Sequence, residues 1–200
     1  MPKHPSLTRR TIAAEAARLM AEDGALDYAE AKRIAAKPYL RSGQRVDLPD
    51  NDEIEDELRT YQDLFQGDAQ RDYVRSLREI AFDLMTTLAQ ALPESRPHLS
   101  GAVFKGTAGP GAVIELAVFV DDPKRVEFWL LNRQMRYGTA ERAHFNRQRR
   151  GTVPLLTFEW RDELVKLAVY DTDDLRSTAN AERAEVSGVQ ALLNQPAPAP

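Results

Sequence analysis

Two hundred residues, 42% of them hydrophobic, with no cysteine and a formal net charge of -4, describe a globular chain able to bury a real core. The lack of cysteine excludes a disulfide framework, a thiolate metal site and a thiol nucleophile, and makes the reducing cytoplasm the expected compartment. No apolar run approaches the roughly 18 to 20 residues that span a bilayer, so no membrane partner is expected, and the mild overall acidity argues against a dedicated DNA coat while saying nothing of local patches.

The N-terminal stretch MPKHPSLTRR leads into an Ala-rich amphipathic segment instead of a signal-peptide apolar core, so a non-secreted protein is expected. The first predicted helix runs from about 8 to 23, with Ile12, Ala16, Leu19 and Met20 at helical spacing and Gly24 placed as a left-handed cap. Asp27 and Glu30 resemble a capping box opening a second short helix, which Pro38 should stop. A third, about 51 to 66, carries Ile54, Leu58, Tyr61 and Phe65 on one stripe and ends at Gly67; a fourth, about 69 to 91, repeats Tyr73, Leu77, Ile80, Leu84 and Leu88 before Pro93. Between Asp47 and Asp83 stand twelve acids against four bases.

After Pro97 the period changes from helical to alternating. Strands are predicted at about 100 to 105, 113 to 120, 153 to 160 and 164 to 170, with the last two joined by a tight RDE turn. Asp122-Pro123 should start a helix reaching about Asn132, and 135 to 146 is predicted as a strand pair or irregular hairpin. A short helix near 187 to 194 precedes a solvated PAPAP tail. From Lys124 to Lys166 the charge reverses to ten bases against five acids. The predicted class is α+β: a helical region over 1–95, a small mixed sheet with helices over 96–175, and a C-terminal helix and tail over 176–200.

The chemistry-bearing stretch is FKGTAGPGAVIELAVFVDD, Phe104 to Asp122. In its strand Ile114, Leu116 and Val118 point to one face, and Val113, Glu115 and Ala117 to the other. A glycine-rich bend lets backbone N–H groups approach a phosphate, and an adjacent carboxylate can hold the magnesium that neutralises it. Glu159, in PLLTFEW, is a second carboxylate on a strand; two such groups facing one cleft would make a minimal metal site. Each residue also has a plainer reading: the glutamates as strand-face residues paired with bases, Gly106, Gly109 and Gly111 as turn glycines, Lys105 as a solvated strand end. The run HFNRQRR, with Arg147, Arg149 and Arg150, suits RNA or nucleotide phosphates or a charged loop, and His144 has an acid-base pKa range with no neighbour in sequence to single it out.

At these residues the chain resembles the minimal nucleotidyltransferase fold of the polymerase beta-like superfamily. Its signature is a Gly-Ser turn, a short helix, Asp-x-Asp or Asp-x-Glu on a strand, and a third carboxylate on a later strand. Gly106-Thr107 stands where Gly-Ser would be, VIEL (Val113 to Leu116) takes the place of the carboxylate strand, and Phe158-Glu159-Trp160 matches the third element. The stretch RRTIAAEAARLMAEDGALDYAEAKRIAA also resembles the start of a group of bacterial proteins with a nucleotidyltransferase-like second half. The resemblance implies that Lys105, Gly106 and Thr107 bind nucleotide, and that Glu115 and Glu159 act as catalytic residues holding magnesium. The sequence departs from the signature at Val113, which offers no oxygen to a hard cation, and in the short spacing from Gly106 to Val113. The implied function is a degenerate nucleotidyltransferase-like protein that binds a nucleotide, RNA or a protein without strong catalysis. The alternative is an active magnesium-dependent enzyme modifying a protein or RNA hydroxyl.

Overall fold

The computed structural model describes residues 6–40, 46–145, 151–177 and 182–195. The chain separates into two compact units: Met1–Val74 with Thr107–Ala112, and Arg75–Gly106 with Val113–Pro200.

The first unit holds α1 (Leu7–Glu22), α2 (Tyr28–Leu40), α3 (Asn51–Phe65) and the opening turns of α4 (Gly67–Ala91). Its core is built largely from alanine: Ala13, Ala16, Ala17, Ala21, Ala31, Ala35 and Ala36 are buried with Ile12, Met20, Ile54 and Leu58. With only a Cβ at the contact, helix axes can draw close, and many small contacts replace a few large ones. Asp50 and Glu53 form a reciprocal capping box at the start of α3, and Arg9 of α1 reaches the same Glu53 with its Nη2 2.7 Å from Oε2. The loop 107–112 has no ladder of its own. Three glutamine amides hold it and the end of α1: Gln62 Nε2 donates to the Thr107 carbonyl at 3.0 Å, Gln66 to Ala21 at 3.1 Å and Gln70 to Ala108 at 3.3 Å.

The second unit contains the remainder of α4, β1 (Arg96–Ser100), α5 (Gly101–Lys105), β2 (Ile114–Phe119), α6 (Lys124–Asn132), β3 (Tyr137–Ala143), β4 (Thr152–Trp160), β5 (Glu163–Tyr170), a 3-10 turn (Thr172–Ser177), β6 (Ala184–Glu185) and α7 (Val186–Leu193). The six strands form one sheet in the order β3-β4-β5-β2-β1-β6. It is mixed, because β2 and β5 pair in parallel and the other ladders are antiparallel. The fold is α+β.

Partners across a ladder share a face, so the register sorts the strands into two surfaces. Ile114, Val165 and Phe158 lie on one, with Leu116, Val118 and Trp160. Trp160 stacks on Trp129 of α6 at 5.9 Å and donates its indole N–H to Asp83 of α4 at 2.9 Å, which brings both helices to this face. The other face carries the cluster Ala117, Phe119, Val153, Ala168 and Tyr170. At the sheet's outer edge β3 is exposed from Gly138 to Ala143.

Several expected elements take another form. The strand expected at 100 to 105 is the helix α5, because Gly101 at φ 67° breaks the extended chain. Pro38 lies inside α2, which continues to Leu40, so the ring, which lacks one N–H donor, does not end the helix at once. Gly24 is not left-handed; α1 is closed by Asp23, whose N–H reaches the Leu19 carbonyl at 2.9 Å. Among the described residues, 135 to 145 hold the single strand β3, which pairs with β4 instead of folding back as a hairpin of its own. The two-residue β6 and the 3-10 turn were not foreseen, being too short to show a period.

Candidate functional site

Glu115 is the second residue of β2, flanked by buried Ile114 and Leu116 that fix the strand's orientation. It is opposite Lys166 of β5, which is opposite Thr157 of β4, and Glu159 is two residues beyond Thr157. Glu115 and Glu159 therefore share a face, with β5 and its Lys166 between them. Arg142, on the edge strand β3, reaches over β4 and β5 so that its Nη1 lies 3.4 Å from Glu115 Oε2. A flat sheet could not bring these groups together, so the sheet curls around this face into a cup.

The wall of the cup beside Glu115 is the turn from β1 into α5. Gly101 adopts φ 67°, and a Cβ there would stand 2.9 Å from Glu115 Oε1 and 3.1 Å from its Cδ. Only glycine fits against this carboxylate in that conformation. Ser100 Oγ donates to the Glu115 carbonyl at 3.3 Å. Thus the turn that precedes a short helix and abuts the carboxylate is Ser100-Gly101, which the sequence reading passed over. The available signal was a Ser-Gly pair directly before the residues that became the helix.

Gly106 is the left-handed cap that ends α5, at φ 84°. Arg78 of α4 secures that end, its Nε donating to the Val103 carbonyl at 3.0 Å and its Nη2 to Phe104 at 2.8 Å. Burial pulls the Arg78 pKa below its ordinary value. Thr107 belongs to the first unit, where it is buried and its carbonyl is held by Gln62. Lys105 is largely buried and forms an ion pair with Glu182. Glu159 is exposed and borders a groove of about 560 Å³ with Arg136, Gly138, Thr157 and Leu164. Of the acids that could stand in for Val113, Asp121 lies at the far end of β2 and is held by Thr172, and Asp162 is exposed in the β4–β5 turn at φ 66°. Arg147, Arg149 and Arg150 lie outside the described residues. Among the described residues no group of three or more His, Cys, Asp or Glu is placed to hold a metal ion.

The floor of the cup is aromatic. Tyr170 stacks on Phe119 at 5.3 Å and meets Phe145 edge-on at 4.9 Å. The Arg183 guanidinium lies over Phe119 at 4.7 Å and Phe145 at 5.4 Å. His144 Nε2 lies 3.1 Å from Asp174 Oδ2, both side chains being almost wholly buried. His98, on the same face, meets Phe119 edge-on at 5.2 Å and has Nε2 3.6 Å from Glu185. Burial lowers its pKa from the ordinary 6.5 and the nearby Arg183 adds to the effect, while contacts with the Arg96 carbonyl and Glu185 oppose it. Burial likewise raises the Tyr170 pKa. None of this cluster except His144 was singled out in the sequence, because its members are scattered from 98 to 183.

No family model and no curated protein sequence matches the chain. Among solved structures, it is similar to a cytoplasmic RNA terminal U-transferase at 16% identity and a TM-score of 0.30, over 52% of this chain and 29% of that one. The match spans less than a third of that protein, and at this level of similarity the functional reading rests on the residues themselves.

Proposed function

We propose that the chain is a nucleotidyltransferase-like protein whose cup binds the phosphates of a nucleotide or RNA directly through basic side chains, without strong catalysis. The observation that carries this reading is the partner of Glu115. A magnesium site here would call for a second carboxylate at position 113, where the chain has Val113; the Glu115 carboxylate instead has the Arg142 guanidinium as its ion-pair partner at 3.4 Å. A guanidinium competes with a cation for the same oxygen, and Lys166 stands next to it on the same face. Arginine suits bidentate phosphate recognition and lysine adds a mobile point charge. The order α4, β1, Gly101 turn, α5, carboxylate strand, α6 also follows the signature of the resembled fold.

The residues fit magnesium poorly: Glu115 would be one oxygen donor where the ion favours several. The alternative of magnesium-dependent transfer to a protein or RNA hydroxyl is favoured by a single fact, that Glu115 and Glu159 share a face. Calorimetry with nucleoside triphosphates and an RNA oligonucleotide, each with magnesium and with chelator, separates the two. Binding that persists in chelator, and weakens about tenfold in Lys166→Ala, is the expected result. Labelled-nucleotide transfer by the parent chain that disappears in Glu115→Gln would instead establish the enzyme.

A further inference from the structure

On the sheet face that carries Glu115 and Lys166, a second pair of charged side chains stands further along the strands. Arg136 and Glu159 line the groove of about 560 Å³ together with Gly138, Thr157 and Leu164. The register puts Gly138 opposite Thr157 and Glu159 opposite Leu164, so Arg136, two residues before Gly138, falls across from Glu159 on the same face. Among the described residues neither side chain has a hydrogen-bond or ion-pair partner. They line one groove without closing it. Gly138 keeps the groove open, because a Cβ there would meet nothing nearer than the Thr157 carbonyl oxygen at 4.0 Å. Leu164 is 41% exposed beside Glu159 and offers an apolar surface. Lys166 is the neighbour opposite Thr157, which places it diagonally from Glu159, about 7–8 Å away across the ladder.

A ligand for this face must bring an anionic group to Lys166, a flat apolar face to Leu164, and an edge with donors for a carboxylate and acceptors for a guanidinium. Nucleotides meet the first two demands, and the base decides the third. A carboxylate only accepts, so it favours an edge with two neighbouring donors. Guanine has such an edge, N1–H beside the 2-amino group. Adenine, cytosine and uracil set an acceptor next to each donor, and that acceptor repels the second carboxylate oxygen. Guanine also carries O6 and N7 side by side, the pair that arginine grips bidentately. Its two edges adjoin at O6, so an acid and a base flanking one ring reach both. A peptide arginine would answer Glu159 but would set a like charge against Arg136 and Lys166.

We propose that this groove reads the guanine base of a nucleotide whose phosphate lies at Lys166, with Glu159 accepting from N1–H and the 2-amino group and Arg136 donating to O6 and N7. Because Lys166 belongs to the phosphate cup, base recognition here rests on the phosphate-binding reading above. Glu159 thereby has a specificity role that calls for no metal. A free nucleotide and a guanosine within single-stranded RNA present the same base and phosphate.

Calorimetry in chelator, with GTP, ATP, CTP and UTP in one arm and the pentanucleotides UUGUU and UUUUU in the other, tests it. GTP is expected to bind about tenfold more tightly than the other three triphosphates; a preference confined to UUGUU would support the guanine reading and assign the guanosine to RNA. Inosine triphosphate, which lacks the 2-amino group, should lose most of the preference in the unaltered protein. Glu159→Gln should abolish it, binding GTP and ATP alike, while Lys166→Ala weakens all ligands together. Glu159 is exposed, and circular dichroism verifies that its variant keeps the fold. Four triphosphates bound alike, with UUGUU no better than UUUUU, would overturn the guanine assignment and leave the phosphate reading standing. So would a GTP preference that survives in Glu159→Gln. No binding of any of these ligands would overturn both.

Discussion

At the scale of single residues the decisive positions are those where a side chain is absent. A Cβ on Gly24 would lie 2.5 Å from the Gly109 carbonyl oxygen and 2.8 Å from its carbon. Those are backbone atoms, which cannot swing aside. Gly24→Ala should therefore destabilise the chain by about 1–3 kcal/mol in urea unfolding, whereas Gly138→Ala, with nothing nearer than 4.0 Å, should change it far less. The sequence shows that Gly24 punctuates the end of a helix, but the reason for glycine there is a loop some eighty-five positions away, which no local pattern reveals. His98 makes the corresponding point for charge. Its folded pKa lies below 6.5, so the unfolded chain takes up a proton at a pH where the folded chain resists it. Stability is full above about pH 6.5 and declines as pH falls below that value. His98→Gln should flatten this dependence, read as the unfolding midpoint across pH 7 to pH 5, because a glutamine amide takes up no proton in that range.

At the scale of elements, α5 is the informative failure. Residues 100 to 105 alternate well enough to suggest a strand, and five residues are too few to show a helical period. What makes them helical is tertiary: the positive φ at Gly101, the left-handed cap at Gly106, and Arg78 on two C-terminal carbonyls. Arg78→Met keeps the apolar stem and removes those donors. A cost of about 1–3 kcal/mol is expected, with early hydrogen exchange at the Gly106 amide, which donates to the Ala102 carbonyl at 2.9 Å. The longer elements were legible because their patterns repeat. The stripe Ile54, Leu58, Tyr61 located α3, and the alternation from Val153 to Trp160 located β4. The capping box of α3 follows from Asp50 and Glu53, and Asp50→Ala should cost about 1 kcal/mol. The β4–β5 turn was also readable, although its use of Arg161 and Asp162 at positive φ was not.

For the whole molecule, the sequence disclosed the class and the carboxylate strand but not the curl of the sheet. Arg142 and Glu115 are 27 positions apart and three strands distant, and only the cup brings them together. The same closure predicts a bulk property. A phosphate-bearing ligand at a hundred times its dissociation constant should stabilise the chain by about 2.7 kcal/mol, seen as a raised thermal midpoint. Added salt should erode that gain, because half-exposed charges such as Arg142 are screened within about 10 Å at 0.1 M.

The outermost strand, β3, leaves one row of backbone donors and acceptors without a ladder partner among the described residues. A bare edge of that kind is a template for fibrous self-association. The exposed residues here are Gly138, Thr139, Ala140, Glu141 and Arg142, of low stickiness and mixed charge. The arginine at the phosphate cup thus has a second duty as a gatekeeper, and removing it for the sake of binding experiments should also shorten the shelf life of concentrated protein.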